Sequence, residues 1–433
     1  MAEIRPFRAW RYNHKLGTHI EALASPLFDV VSEKQRQSLY RNPYNSIHLS
    51  VPLGPHPAER AARALREWKE DGTLEQDPLP GIYVYYQYFK LAGAPKEYCR
   101  KGFICNIRAY DWSENIILRH ENTIPKAVND RVELLEKTRL HVSATHGLYT
   151  DPSFSLEPYM DDAISNPIYE TEDYQGVKDV LAVIQDAGII RIFMDYLRDK
   201  TIILADGHHR YESSLILKDK MRKEHPDETG NECYHFHMMY LTNTESGDLR
   251  ILPTHRLIKN LPDFSEEKLL RKLAPYFIIK PIDDPDTLPE IILGKPWAFG
   301  LLFKDNAFKV RLNPEAFQDF HWPFPEDIKR LDLTVMHHFI IEKGLGIPGK
   351  DQRKSEFIDF DRSFPDCLAK VMRGEVQLAI ITQEVSIEDV KRVCASGYTM
   401  PQKSTYFYPK VVCGLLFSSI LEEEFKSPPF SPF

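Results

Sequence analysis

The segment TIILADGHHRYESS at residues 201–214 has the residue types and the order of an anion-binding turn. A short apolar run predicts a buried strand, and a helical pattern starts directly after the Asp-Gly pair that follows it. The first N–H groups of a helix lack intrahelical acceptors and lie at the positive end of the helix dipole, so such a start can bind phosphates. A capped helix with surface histidines would give the same pattern. The predicted phosphate-binding residues are Asp206, Gly207, His208, His209 and Arg210.

These residues would contribute different properties to the turn. Gly207 allows a ligand to approach the backbone closely, and Arg210 suits a bidentate contact to a phosphate. Asp206 could cap the helix or hold a metal ion. The two histidines add donors on the first turn of the helix.

A second segment, His120-Glu121-Asn122-Thr123, precedes a helical pattern that contains Asp130 and Arg131. A glutamate beside a histidine could act as a general base if it is partly buried. The same residues could equally be ordinary polar residues at the start of a helix, and taken alone they favour that interpretation.

Two further segments, LPTHR at 252–256 and MPQKSTYFYPK at 400–410, are predicted loops that carry cations beside predicted strand or helix ends. The lysines of the second segment could clamp an anion to which its hydroxyl groups donate. The alternative is an aromatic loop packed on the core with its lysines in solvent. The predicted anion-binding residues of these segments are His255, Arg256, Lys403, Ser404, Thr405 and Lys410.

Two other patterns favour structural roles. GLGIPG at residues 344–349 satisfies G-x-G-x-x-G, but a helical pattern precedes it where a nucleotide-binding loop needs a strand. It therefore predicts a helix end followed by a turn. His235 and His237 alternate along a predicted strand without a third metal ligand at motif spacing, which favours a structural role for both.

The elements that must position these segments form a mixture of helices and strands, which predicts an α/β or α+β fold. The aromatic runs 81–90 and 102–110 predict a hairpin, as do residues 296–303 and 307–312. The final SPPFSPF predicts a loose tail. Further helices are predicted at 57–70, from 128, at 176–188, after Gly207, over 331–347 and from Ser386 to near Gly397, and further strands at 189–193, 201–205, 234–241 and 377–383.

The composition is that of an ordinary globular chain of two or three domains. The 433 residues are 42% hydrophobic and 27% charged, and 55 basic against 63 acidic side chains give a net charge of −8, which disfavours binding to nucleic acid. Six scattered cysteines without a CxxC pair argue against zinc ribbons and disulfide scaffolds and favour reduced thiols in a cytoplasm. The N-terminus has no apolar signal segment, and we expect no membrane span.

The motifs together resemble a bacterial and archaeal family known as domain-of-unknown-function family 1015. The resemblance extends over nearly the whole chain. It is carried by PFRAWRYN near the start, NPYNSIHL at 42–49, HENT…DR at 120–131, ADGHHRYE at 205–212, LPTHRLI at 252–258 and MPQKSTYFYPK at 400–410.

More distantly, the order of HENT…R, a helix, a strand and then DGHHR in this chain resembles the ParB/sulfiredoxin superfamily. By that resemblance Glu121 would deprotonate a substrate hydroxyl, as in free L-serine kinases. Sulfiredoxin chemistry needs a cysteine where this chain has His208, and ParB needs a helix-turn-helix region that the sequence does not show. The resemblance further implies a catalytic role for His209, substrate contacts by His120, Thr123 and Arg131, and Mg²⁺ at Asp206.

The sequence therefore predicts a ParB/sulfiredoxin-like phosphate-binding core at 113–225 between modules at 1–112 and 226–433. The predicted activity is a nucleotide-dependent kinase of a small hydroxylated metabolite such as L-serine, with Mg²⁺ and ATP or ADP as cofactors. The expected partners are that metabolite and the nucleotide, in a cytoplasmic protein. A phosphoserine-type phosphatase, a nucleotide-binding switch of the ParB type and a structural adaptor remain alternatives.

Overall fold

The computed structural model describes residues 2–28, 30–91, 94–173, 175–352, 354–401 and 403–426. The chain forms two compact units. The first contains Met1–Arg119, Thr123–Leu249 and Pro409–Phe433, and the second contains His120–Asn122 and Arg250–Tyr408. The tail SPPFSPF lies outside the described residues. The predicted division into modules at 112 and 225 stays a prediction.

Strands and helices are interspersed along the described part of the chain. The strands are β1 (Ile4–Arg5), β2 (Trp10–Tyr12), β3 (Leu74–Gln76), β4 (Ile82–Lys90), β5 (Glu97–Arg108), β6 (Ile117–Arg119), β7 (Leu140–His141), β8 (Thr145–Tyr149), β9 (Tyr169–Glu172), β10 (Lys178–Ile184), β11 (Ile202–Asp206), β12 (Phe236–Asn243), β13 (Arg250–Ile251), β14 (His255–Ile258), β15 (Phe277–Ile282), β16 (Ala298–Leu302), β17 (Ala307–Leu312), β18 (Ile358–Asp361), β19 (Leu378–Ile381), β20 (Phe407–Tyr408) and β21 (Ser418–Ser419). The helices are α1 (His14–Gly17), α2 (Ile20–Leu23), α3 (Glu33–Leu39), α4 (Ile47–Ser50), α5 (Pro57–Glu70), α6 (Pro125–Thr138), α7 (Glu157–Ala163), α8 (Ala187–Leu197), α9 (His208–Glu224), α10 (Glu266–Leu273), α11 (Leu288–Ile292), α12 (Glu326–Lys329), α13 (Asp332–Val335), α14 (Gly349–Gln352), α15 (Phe364–Met372), α16 (Ile387–Ser396) and α17 (Glu422–Phe425).

A large mixed sheet forms the centre of the first unit. Over the described residues its strands run in the order β6-β11-β8-β12-β5-β4-β10-β9, with β1 beside β5. β11 is parallel to β6 and antiparallel to β8, whereas β8 is parallel to β12. The predicted hairpin is confirmed, because β4 and β5 pair antiparallel. The predicted mixture of helices and strands is confirmed. The strand that precedes Gly207, β11, lies between β6 and β8 inside this sheet.

Residues 176–193 correct the sequence prediction. The predicted helix at 176–188 is strand β10 from Lys178, and the predicted strand at 189–193 lies inside helix α8. In β10 the consecutive residues from Asp179 to Ala182 are all buried, so both faces of the strand are covered and the period-2 signature is lost. Asp186 accepts a hydrogen bond from the backbone N–H of Ile189 and so starts α8, whose buried residues are Ile190, Phe193 and Leu197.

The second unit is built on a smaller sheet. Its described strands run in the order β15-β17-β16-β19-β14-β18, and β16 and β17 form the second predicted hairpin. The helix predicted over 331–347 is α13 followed by a π-helix at Met336–Gly344. Ser386 caps α16 by accepting from the N–H of Asp389, as the sequence predicts. Residues 255 and 256, predicted to follow a turn as a loop, lie in strand β14 instead.

No helix in the described part of the chain is long and apolar enough to span a bilayer. No disulfide joins any two of the cysteines in the described part of the chain.

Candidate phosphate-binding site

The turn between β11 and α9 is shaped by Gly207. The strand before it is buried from Ile202 to Ala205, and the helix after it has 17 residues. Gly207 has φ +89, a left-handed conformation that favours glycine. A Cβ at this position would lie 2.6 Å from Cγ2 of Thr145, so both the backbone and the space require glycine. The N–H groups of the first turn of α9 therefore directly follow a residue that has no side chain of its own.

Asp206 lies between two cations. Its Oδ2 accepts from Nη2 of Arg210 at 3.1 Å, and its Oδ1 accepts from the ammonium of Lys410. Burial raises the pKa of Asp206, but the charges of Lys410 and Arg210 outweigh burial and hold that pKa below its ordinary value. The carboxylate is thus ionised, and two positive charges against one negative charge leave the cluster cationic.

The guanidinium of Arg210 fixes the turn to the neighbouring strand. Its Nη1 donates to Oγ of Ser143 at 2.9 Å and to the carbonyl oxygen of Ala144 at 2.7 Å, in addition to the Nη2 contact with Asp206. Its buried Nε has no hydrogen-bond partner among the described residues. Both terminal nitrogens already bind protein groups, so this arrangement makes Arg210 a positioning residue. Its bidentate phosphate contact stays a prediction.

The Asp206 carboxylate fits the role of counter-ion better than that of metal ligand. Each of its oxygens accepts from a cation, so a Mg²⁺ ion at the same carboxylate would be repelled by two positive charges. The metal role of Asp206 therefore stays a prediction.

The two histidines of the turn differ in surroundings. His208 is buried, whereas His209 is half-buried, and its Nε2 accepts from the backbone N–H of Ile124 at 2.9 Å. Nε2 of His209 therefore serves as an acceptor in this contact. This contact ties the start of α6, directly after Thr123, to the start of α9. The catalytic role of His209 and the substrate role of Thr123 stay predictions.

A small cavity of about 40 Å³ is lined by both Arg131 and Arg210. Nη1 of Arg131 donates to the carbonyl oxygen of Ser50 at 2.7 Å, and the guanidinium lies 4.6 Å from the ring centre of Phe28. A cavity of this size has space for a few water molecules. The substrate-binding role of Arg131 therefore stays a prediction.

Two predicted segments of the second unit come together although about 280 residues separate them in sequence. The ring Nε2 of His120 and Oγ1 of Thr405 are 2.7 Å apart, and the N–H of Lys403 donates to Oε1 of Glu121 at 3.1 Å. The hydroxyl of Ser404 donates to the carbonyl oxygen of Pro401. The predicted general base and the predicted lysine–hydroxyl loop are thus one cluster, although Lys410, from the same sequence motif, belongs to the first unit.

Arg256 is a fully buried cation in the second unit. Burial lowers its pKa to about 9, an effect that the charge of Glu121 partly offsets. Its Nη2 lies 3.3 Å from Nε2 of His337, whose pKa burial lowers to about 3, so the neutral ring accepts. The neighbouring His255 is also neutral at pH 7, because burial lowers its pKa to about 4. Any contact of His255 with an anion would therefore come from a neutral ring. The phosphate-binding roles of His255 and Arg256 stay predictions.

Sequence reasoning missed the residues that hold Lys410 in place. Arg100 is 1% exposed, and its Nη2 donates to Oε1 of Gln87 and to the carbonyl oxygen of Pro409. Nε2 of Gln87 donates to the carbonyl oxygen of Lys410 at 3.0 Å. Gln87 lies in the predicted strand 81–90, whereas Arg100 falls in the predicted connection before residue 102 and is part of β5 in the structure. A glutamine in an aromatic strand is the one signal that could have indicated a buried polar contact.

The fold and the site define a mixed α/β protein with a glycine turn that leads into a helix beside a lysine. The model of the family described as "Protein of unknown function (DUF1015)" matches residues 4–334. The chain belongs to this family, as the sequence motifs indicate. None of the curated proteins compared with the chain matches it.

Several solved structures are similar to the chain at low sequence identity. A free serine kinase in complex with AMP is 10% identical, with 75% of this chain and 93% of that chain covered and a TM-score of 0.37. A conserved hypothetical protein from Pyrococcus furiosus is 11% identical, with 75% and 97% covered and a TM-score of 0.36. SbnI with a C-terminal truncation, from Staphylococcus aureus, is 11% identical, with 73% and 82% covered and a TM-score of 0.34.

Proposed function

We propose that this protein is a nucleotide-dependent kinase of a small hydroxylated metabolite, of which L-serine is the first candidate. The turn at Gly207 would hold the nucleotide phosphates, with a ParB/sulfiredoxin-like arrangement of strand, turn and helix. ATP or ADP would be the phosphoryl donor, with Mg²⁺ accompanying it.

The observation that carries the proposal is the combination of three features at one turn: a left-handed glycine, the start of a 17-residue helix, and a lysine whose side chain is 12% exposed. A helix N-terminus binds phosphate through backbone N–H groups and the helix dipole. The space that a Cβ of Gly207 would fill is taken by Thr145 and Arg210, so the phosphates would contact the N–H groups of the first turn of α9 that follows the glycine. Lys410 adds a second, independent source of positive charge on an element distant in sequence.

The electrostatics of the turn also favour an anion. Asp206 neutralises only one of the charges of Arg210 and Lys410. His146, which pairs with Asp206 across β8 and β11, contributes no charge, because burial holds its pKa well below the ordinary value. Phosphoryl transfer depends chiefly on positioning and charge neutralisation, and a cationic turn on a sheet strand supplies both.

Glu121 is the proposed catalytic base, because its segment resembles the one that carries the base in free L-serine kinases. Its Oε1 accepts from the N–H of Lys403, which would fix the orientation of its carboxylate. An oriented carboxylate that takes a proton from the acceptor hydroxyl is general base catalysis.

Phosphorus NMR of the purified chain with Mg²⁺, ATP or ADP, and L-serine tests the proposal. We expect a phosphoserine signal that requires both nucleotide and serine. A sample without serine and a sample with phosphoserine alone are the controls. Release of inorganic phosphate from phosphoserine alone would instead support a phosphatase, and no turnover in any sample would contradict the serine kinase.

A further inference from the structure

A second cluster of ligand-type side chains lies in the first unit, in the loop between α9 and β12. It contains Glu228, Glu232 and His235, whose carboxylate oxygens and ring nitrogen all lie within 4.8 Å of one another. The spacing along the chain, three and seven residues before the histidine, matches no common metal motif. The loop geometry alone brings these three side chains together.

The distances within this cluster suit a tetrahedral cation. Nε2 of His235 is 2.9 Å from Oε2 of Glu228 and 3.7 Å from Oε2 of Glu232. Zinc ligands at their usual bond lengths of about 2.0–2.1 Å lie roughly 3.3 Å apart on the edges of a tetrahedron. The two measured distances lie on either side of that value, so small side-chain shifts would suffice.

The cluster is sheltered rather than a group of solvated surface acids. The side chains of His235, Glu228 and Glu232 are 9%, 12% and 24% exposed. Oε2 of Glu232 is buried and accepts no hydrogen bond from any described residue, although it faces the ring nitrogen of His235. A buried carboxylate oxygen without a donor is costly unless a cation or a water molecule satisfies it.

Neighbouring groups orient both carboxylates, and the hydroxyl of Tyr234 donates to Oε2 of Glu228 at 2.8 Å, the oxygen that also contacts His235. Oε1 of Glu232 accepts from the N–H of Thr229 at 2.7 Å and from its hydroxyl at 3.0 Å. Oε1 of Glu228 accepts from Nε of Arg222 at 2.7 Å. Outer contacts that orient ligand oxygens in this way are typical of metal sites, where they fix the ligands before the ion binds.

We propose that Glu228, Glu232 and His235 bind one divalent cation of the zinc type, with a water molecule as the fourth ligand. An imidazole with two carboxylates selects zinc-like ions over Mg²⁺ and Ca²⁺, which prefer oxygen ligands alone. The cation takes the place of a proton on Nε2 of His235 and satisfies Oε2 of Glu232. Thr229 and Glu232 also line a cavity of about 740 Å³, which gives the ion a path from solvent.

His237, two residues further along the chain, is not part of this site. Its Nδ1 is 2.7 Å from the hydroxyl of Ser214 and its Nε2 is 3.0 Å from the hydroxyl of Thr145. Both ring nitrogens are therefore engaged with protein hydroxyls, and His237 holds β12 to α9 and β8. The two histidines have different roles although they are neighbours in sequence.

Titration of the metal-free full chain with Zn²⁺, followed by a competing chromophoric chelator, tests the proposal. We expect one Zn²⁺ per chain and at least a tenfold weaker affinity in Glu232→Gln, which retains the Oε1 acceptor for Thr229. His235→Asn should weaken binding similarly. Asp227→Asn is the matched control, because Asp227 is exposed in the same loop.

Two further readouts make the outcome decisive. Bound Co²⁺ should give the intense visible absorption of four-coordinate cobalt in the wild-type chain and in Asp227→Asn, but not in Glu232→Gln. Circular dichroism of Glu232→Gln should show an unchanged fold. Equal Zn²⁺ affinity in the wild-type chain and Glu232→Gln, or no stoichiometric binding to the wild-type chain, would overturn the proposal.

Discussion

Lys410→Met is expected to lower the affinity for ADP at least tenfold, about 1.4 kcal/mol of binding free energy. The ammonium of Lys410 lies at the Asp206 carboxylate with its side chain 12% exposed, so its charge is poorly screened by solvent. Removal of this cation leaves the cluster of Asp206 and Arg210 neutral overall. Isothermal titration calorimetry with ADP and Mg²⁺ measures the change, and Lys223→Met, exposed near the end of α9, is the control.

A companion variant separates loss of binding from loss of stability. Lys410→Met also breaks a buried ion pair and should lower the free energy of unfolding by about 1–3 kcal/mol. The double variant Asp206→Asn with Lys410→Met removes both charges and should recover most of that stability. Its ADP affinity should stay low if Lys410 donates directly to a phosphate. Wild-type affinity in the double variant would show that Lys410 is only the counter-ion of Asp206.

Glu121→Gln is expected to retain nucleotide affinity and to lose phosphoryl transfer by a factor of about 10²–10⁴, the usual contribution of a general base. Glutamine still offers Oε1 as an acceptor for the N–H of Lys403, so the local hydrogen bond survives. What disappears is the ability to take a proton from the acceptor hydroxyl. The phosphoserine signal in phosphorus NMR gives the rate, and calorimetry gives the affinity.

The matched control for this variant is Glu133→Gln, which removes an exposed carboxylate from α6. It should turn over as the wild-type chain does. A Glu121→Gln variant that also turns over normally would contradict the assignment of Glu121 as base, while leaving the phosphate-binding turn intact. Loss of both affinity and turnover in Glu121→Gln would point to a structural role in the cluster with Lys403.

The strand–turn–helix segment was predictable because its local signals agree. An apolar run, an Asp-Gly pair and a helical pattern each have a short-range physical cause, and the structure has β11, Gly207 and α9 in that order. Residues 176–193 were not predictable in the same way. A strand whose two faces are both buried has no period-2 pattern. The sequence of β10 therefore resembles that of a helix until its pairing with β4 and β9 is known.

The tertiary partners of the site could not be read from sequence spacing. Lys410 reaches Asp206 across about 200 positions in the sequence, and no local pattern encodes that contact. The motif at 400–410 also belongs to both units, because its residues up to Tyr408 are in the second unit and Lys410 is in the first. The burial of Arg256 and its lowered pKa likewise follow from strand β14 lying inside a sheet, where the sequence suggested a loop.

Backbone amide chemical shifts report whether nucleotide phosphates bind at the start of α9. In a deuterated, ¹⁵N-labelled chain, titration with ADP and Mg²⁺ should shift the amides of Gly207, His208 and His209 more than those near the C-terminal end of the same helix. Inorganic phosphate at higher concentration should shift the same amides in the same direction. If calorimetry shows that ADP binds while the chemical shifts of these three amides stay unchanged, the phosphate site lies elsewhere and the proposed nucleotide site at α9 is wrong.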